Sequence, residues 1–382
     1  MQYKQYVKIS IYLSFFLYVC LATVNVIYNV SGFNYIVVVC LSVLFLLGIG
    51  LYNKVNFFTL IFSMVSLTFG IGAYLSSSIE TGAQFQFFYL LLVSTIIGLL
   101  ILSRLKRDEV IKITVITFYI YLLFSVFTFF LFKSYYRAFT FDGAFLDRAF
   151  HGIEGSPANI DTFSTLFMVC VLFSNYKLIE KIIHTTVFLL VVYFCDTQTP
   201  FLIFLTILGF YIANKFLKNK SRRLIIFGIY AVMILIFYLS ITNESIHEFL
   251  LLATNGRNNI WDQQIDNVFS DFGLVDFVFG DFRNAYVSIH WSNEDTNNPH
   301  NGYLFILIRL GLFSTVLFLL YVWIVSKKIS NFQYYILISL LAASVSNSNV
   351  FYLSNPMITL LLIYSISPRL ERDNEKCIDV LR

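Results

Sequence analysis

What most limits this chain is a succession of long apolar runs. A helix needs about 20 mostly apolar residues to cross a hydrocarbon core of roughly 30 Å. Twelve stretches qualify, approximately 9–28, 34–52, 56–76, 85–103, 111–132, 159–175, 179–195, 199–217, 223–242, 302–326, 332–348 and 353–368. Backbone groups cannot stay unpaired in lipid, and no polar face alternates along these runs, so they predict helices and not barrel strands. Only 13% of residues are charged while 58% are hydrophobic, too few charges to cover a water-soluble surface. The expectation is an all-α polytopic membrane protein with about 12 transmembrane helices, forming a single integral-membrane domain over 1–382.

Lys and Arg give the orientation, because they concentrate in cytoplasmic loops. With the N-terminus inside and strict alternation, Lys133, Arg137, Arg148, Arg257 and Arg283 fall outside, Arg309 falls within a span, and the rest of the 26 basic residues fall inside. Both termini are then cytoplasmic. No small-residue cleavage site follows the first apolar run, which reads as a retained span and not a signal peptide. Cys20, Cys40, Cys170, Cys195 and Cys377 form no C-x-x-C pair, so neither a disulfide framework nor a zinc site is indicated.

Two outer loops stand out, roughly 133–158 and 243–301. Most other connections are short, and a long loop with structure of its own more often carries function. The larger loop reads as short helices: an apolar run at Phe249–Ala253, a polar-aromatic stretch around Trp261, and Leu274–Phe279.

The segment Asn298-Pro299-His300-Asn301-Gly302-Tyr303-Leu304 lies where this loop meets the tenth span. Asn298 suits a helix cap and Pro299 the first turn. His300 would then lie in the first turn, where the helix dipole disfavours imidazolium and leaves a neutral base. The N–H groups there would also suit a phosphate oxygen. A histidine that only hydrogen-bonds a loop is the competing reading. The outer arginines have a similar ambiguity. Arg257, Arg148 and Arg137 suit bidentate phosphate binding, or surface salt bridges. Arg309 follows His300 by nine residues, about 13 Å deeper and nearly on the opposite helix face. A charge at that depth is a functional candidate, but its direction argues against sharing a substrate contact with His300. The carboxylates Glu154, Asp161, Asp196, Asp262, Asp266, Asp271, Asp281, Glu294 and Asp295 show no calcium-loop spacing. Most are expected to be solvated charges or caps, and no metal site is expected.

The residues His300-Asn301-Gly302-Tyr303-Leu304, with Gly311 beyond, resemble the His-Asn-x-(Tyr/Phe)-Leu…Gly segment of the O-antigen ligase and Wzy-type polymerase superfamily. Gly256-Arg257-Asn258-Asn259-Ile260-Trp261 resembles its Gly-Arg-x-x-Ile-Trp segment. The run from Arg148 through Pro157-Ala158-Asn159 is similar to the superfamily's Arg…Gly…Pro-Asn approach to a span. The chain departs from the pattern at Asp196-Thr197-Gln198-Thr199-Pro200, where relatives carry Ser-Arg; Arg148 or Arg283 would have to supply that contact.

The resemblance implies a GT-C-like membrane glycosyltransferase of the bacterial inner membrane, inverting, metal-independent and without a cofactor. The donor would be an oligosaccharide on undecaprenyl pyrophosphate, held among membrane lipid. An O-antigen or capsular polysaccharide polymerase would transfer the glycan to a second lipid-linked repeat unit, and a ligase to lipid A-core. His300 and Arg257 would be catalytic. Arg148, Arg137, Arg283, Asn301 and Trp261 would bind substrate, although Asn301 and Trp261 suit loop support as well as a sugar face. The implied activity has room for a chain-length regulator as partner and none for nucleic acid. A lipid-linked oligosaccharide flippase is the competing class; it would explain the helices and Arg309 but needs no long outer loop.

Overall fold

The computed structural model describes residues 12, 15, 16, 19, 20, 105–131, 138–139, 145–146, 157–195, 199–216, 221–242, 257–270, 272–280, 287–289, 294–296, 301–346, 350 and 355–367. The second, third and fourth apolar runs lie outside these residues. Of the first run, Tyr12, Phe15, Phe16, Val19 and Cys20 are described, and all five are helical.

The apolar runs that are described form helices. They are α1 (Arg107–Leu131), α2 (Pro157–Phe173), α3 (Leu178–Cys195), α4 (Thr199–Phe216), α5 (Ser221–Thr242), α8 (Gly302–Val325), α9 (Asn331–Ser346) and α10 (Pro356–Ile366). Between α5 and α8 lie α6 (Arg257–Ser270) and α7 (Leu274–Phe279). Among the described residues the strands form two short antiparallel ladders. One pairs β1 (Ala138–Phe139) with β2 (Phe145–Leu146), and the other pairs β3 (Val287–Ile289) with β4 (Glu294–Thr296). They modify the all-α expectation only locally, in the two segments read as long loops.

Among the described residues three helices are long and apolar enough to cross a membrane: Arg107–Phe130, Leu178–Cys195 and Gly302–Val325. The apolar helices Asn159–Phe173, Asn331–Val345 and Met357–Ile366 are shorter. α10 has 11 residues, about 16 Å at the helical rise and so about half a hydrocarbon core. The span expected over 353–368 is thus not one continuous helix, because Asn355 caps α10 late: its Oδ1 accepts the N–H groups of Met357 and Ile358, with Pro356 at the first position.

α2 and α9 form the centre. α2 packs against α1, α3, α4, α9 and α10; α9 packs against α2, α4, α5, α8 and α10. Aromatic rings fill the α1–α2 seam, with Phe118 stacked on Phe167 at 4.2 Å and edge-on to Phe163 at 5.4 Å. Such offset and edge-on pairs are the favourable ring geometries. Tyr119 Oη lies 2.6 Å from His184 Nδ1, tying α1 to α3.

Hydroxyls inside this apolar core need partners, since an unpaired buried polar group is costly. Several turn back on their own helices: Thr114 donates to the Val110 carbonyl, Thr117 to Ile113, Ser339 to Tyr335 and Ser344 to Leu340. The α9 start is a reciprocal capping box: Ser330 Oγ accepts the Gln333 N–H, and Gln333 Oε1 accepts the Ser330 N–H. Gln333 Nε2 then donates to the Tyr364 and Ser367 carbonyls, both at 2.7 Å. One side chain thus starts α9 and satisfies the end of α10.

Candidate functional site

α8 begins at Gly302, and Asn301 caps it. Asn301 is extended (φ −141°, ψ 121°), and its Oδ1 accepts the N–H groups of Tyr303 and Leu304, each at 3.0 Å. Its Nδ2 donates to the Val345 carbonyl of α9 at 2.6 Å. The residue is fully buried. The start of α8 is therefore pinned to the far end of the next helix, 44 residues on, by one amide side chain. Tyr303 adds a second tie, its hydroxyl donating to the Leu341 carbonyl at 3.0 Å.

This geometry corrects the expectation that Asn298 caps the helix with Pro299 in its first turn. The cap is three residues later, so His300 precedes it and is not in the first turn of α8. The N–H groups of Tyr303 and Leu304 are already bonded to Asn301, so they form no cradle for a phosphate oxygen. His300 itself lies outside the described residues, and with it the expected effect of the helix dipole on its imidazole.

Trp261 lies in α6 and is 2% exposed. It packs with buried Leu304 and Ile308 of α8, and Ile265, Phe272, Phe277 and Leu307 border the cluster. Arg257 is the first residue of α6, one helical turn before Trp261. Leu304 is one turn after the Asn301 cap. The indole thus joins the two segments that carry the sequence motifs. Both Trp261 and Asn301 are buried, at 2% and 0% exposure. The Arg257 side chain lies outside the described residues, as do His300, Arg148, Arg137 and Arg283.

α7 approaches the same helix through two glycines. Gly280, which ends α7, has φ 87° and ψ 156°; Gly311, inside α8, has φ 76° and ψ 173° and marks a kink. Both conformations belong to a region essentially restricted to glycine. A Cβ on Gly280 would lie 2.5 Å from the Arg309 carbonyl carbon and oxygen, and one on Gly311 would be driven into the Val278 carbonyl. The two backbones therefore meet at Arg309–Gly311. Thr315 Oγ1 donates to the Gly311 carbonyl at 2.8 Å just past the break. Gly311 was legible as a motif residue; the close approach that requires it was not.

Arg309 is 6% exposed, and its guanidinium carbon lies 5.7 Å from the Phe305 ring centroid, within cation–π range. It is held inside the helical assembly. Asp161 also departs from expectation. It is 7% exposed in the first turns of α2 and is not a solvated charge; its position inside an apolar run was the available signal. Asp266 is exposed and Asp262 half-buried on α6. Among the described residues no group of three or more His, Cys, Asp or Glu side chains is arranged to hold a metal ion.

No family model, curated protein or solved structure matches this chain. Fold and site together define a helical protein of membrane character, in which a helix of the 243–301 segment is locked to the start of an apolar helix.

Proposed function

We propose that this protein is a bacterial inner-membrane polymerase of the Wzy type, extending O-antigen or capsular polysaccharide from undecaprenyl-pyrophosphate-linked repeats. The observation that carries the reading is the Trp261 cluster. It joins α6, headed by Arg257, to the start of α8, whose cap Asn301 follows His300. The packing of Trp261 on Leu304 and Ile308 supports this reading because Arg257 begins the helix that carries the indole and His300 directly precedes the Asn301 cap in sequence.

In the proposed reaction the acceptor hydroxyl oxygen attacks the anomeric carbon of the donor. The bond from that carbon to the pyrophosphate oxygen breaks, and the proton passes from the hydroxyl to His300. Negative charge develops on the leaving pyrophosphate, and Arg257 with Arg148 stabilises it; Arg137 and Arg283 lie on the same outer side in this topology. The base role of His300 rests on imidazole titrating near neutrality. About twelve spans, a GT-C-like arrangement, cytoplasmic termini and outer loops over 133–158 and 243–301 belong to this proposal. So do a metal- and cofactor-free reaction and a chain-length regulator as partner.

The test is a gel of surface glycan from a strain lacking the gene, complemented with wild type or His300→Ala. The expected result for both deletion and variant is collapse of the ladder to core plus one repeat, with the variant present at normal level. Lipid-linked polymer that never reaches the core would assign the ligase reaction instead. An unchanged ladder would overturn both and favour a flippase or another pathway.

A further inference from the structure

We propose that α7 is a re-entrant element, inserted in the outer leaflet with one face against acyl chains, and is not a helix lying in the aqueous loop. The argument begins with α8. Its exposed apolar residues Leu312, Val316, Leu320 and Ile324 recur at every fourth position, one stripe of a helix. That stripe is the expected lipid-facing side of an apolar helix long enough to cross the membrane.

Before the kink at Gly311, which breaks the helical phase, Leu304 and Ile308 are buried with Trp261 and Phe277. The first half of α8 is thus covered by protein, whereas the second half carries the exposed stripe that would face lipid. The change occurs at Gly311, where α7 meets α8.

Depth decides where that junction lies. Gly311 precedes Lys327, the first residue of the basic pair after α8, by sixteen residues. That is about 24 Å at the helical rise, short of the roughly 30 Å thickness of the hydrocarbon core. Val278 and Gly280, which abut Gly311, are then below the outer boundary. The exposed residues of α7 match that position. Leu274 is 81% exposed, Val275 60% and Phe279 44%, while Phe277 turns inward to the Trp261 cluster. Non-helical backbone at membrane depth is tolerated where it is covered by protein. Here Gly280 is buried against α8, and its N–H donates to the Asp276 carbonyl at 2.7 Å. The Gly273 N–H at the other end is taken by Asp276 Oδ2 at 3.2 Å.

The inference depends on α8 crossing the membrane and is independent of the transferase reading. It is tested on the full chain in phosphatidylethanolamine–phosphatidylglycerol vesicles. Single cysteines replace Leu274, Phe279, Leu320 or Lys177 in a background lacking the five native cysteines, and each carries a bimane label. Acyl-chain bromolipid should quench positions 274, 279 and 320, with loss of quenching by aqueous iodide; position 177 should behave in the opposite way. Iodide quenching at 274 and 279 with bromolipid quenching at 320 would overturn the insertion of α7 alone. Iodide quenching at 320 too would overturn the membrane placement of α8 with it. Should the cysteine-free chain fail to fold, the unmodified protein is photolabelled by a diazirine-chain phospholipid. Adducts on Leu274–Phe279 support insertion, and adducts on α8 without any on α7 refute it.

Discussion

The amide of Asn301 has two functions that substitutions can separate. Its oxygen caps α8 by accepting two N–H groups, and its nitrogen holds the Val345 carbonyl of α9. Replacing a capping side chain by Ala costs about 1 kcal/mol. Leaving a buried carbonyl unsatisfied adds about 1–3 kcal/mol. Asn301→Ala is therefore expected to cost about 2–4 kcal/mol together. Asn301→Asp is the discriminating change, because a carboxylate still caps and even suits the helix dipole. It cannot donate to Val345, however, and it sets a negative charge against that carbonyl in a fully buried site. Asp is thus expected to be at least as damaging as Ala, and Ser, which caps without the second bond, to be intermediate. The assay is thermal unfolding of the purified protein in detergent, followed by loss of the monodisperse peak on size exclusion. Wild-type Tm for Asn301→Asp would refute the argument, since capping alone would then account for the residue.

Gly311→Ala should destabilise by more than the about 1–3 kcal/mol of backbone strain, because the added methyl also drives α7 off α8; protease sensitivity appearing first near 273–280 would report it. Trp261→Ala should cost about 3–5 kcal/mol through loss of a buried ring, whereas Trp261→Phe retains most of the packing, and a Tm series measures both. Gln333→Leu leaves the Ser367 carbonyl without its Nε2 donor and the Tyr364 carbonyl with only the longer 3.4 Å bond from the Ser367 N–H, and a Tm fall no larger than that of Asn301→Ala is the expected outcome; an unchanged Tm would refute a stabilising role for these bonds.

The described helices were legible because the length and apolar character of a run are local properties. The run read at Leu274–Phe279 coincides with α7, and the expected span 302–326 differs from α8 by one residue at its end. Capping was harder to place, because Asn occurs at 298, 301 and 355 in similar company. An Asn-Pro pair does cap and start a helix, but at Asn355-Pro356. At α8 the competing Asn301 is secured by a bond to Val345, a contact between residues 44 apart in the sequence, and no local rule registers it. The close approach at Gly311 was hidden for the same reason, since it depends on which helix lies alongside. Of the candidate site, the sequence placed Trp261 and Asn301 in the right segments but left open whether they face substrate or support the loop. In the structure both are buried, Asn301 bonded to Val345 and Trp261 packed on Leu304 and Ile308.

The kink at Gly311 divides α8 into two halves with different neighbours. The outer half is oriented by protein: Asn301 to Val345, Tyr303 to Leu341, and Trp261 over Leu304 and Ile308. The inner half carries the exposed apolar stripe and is tied near its end by Tyr321, whose hydroxyl donates to the Ile366 carbonyl at 3.1 Å. A straight helix would couple these two settings, so that any tilt demanded by the bilayer would swing the Asn301 end with it. On the membrane placement proposed above, the broken helix would let lipid set the tilt of the second half while α6, α7 and α9 hold the first. Under the proposed function this would keep the first half at the fixed geometry that a transfer needs, where small displacements are costly to reactivity. It also explains why the buried Arg309 and two glycine-only conformations are concentrated at the break: there the helix yields hydrogen bonding and regular geometry, and packing against α7 holds the result in place.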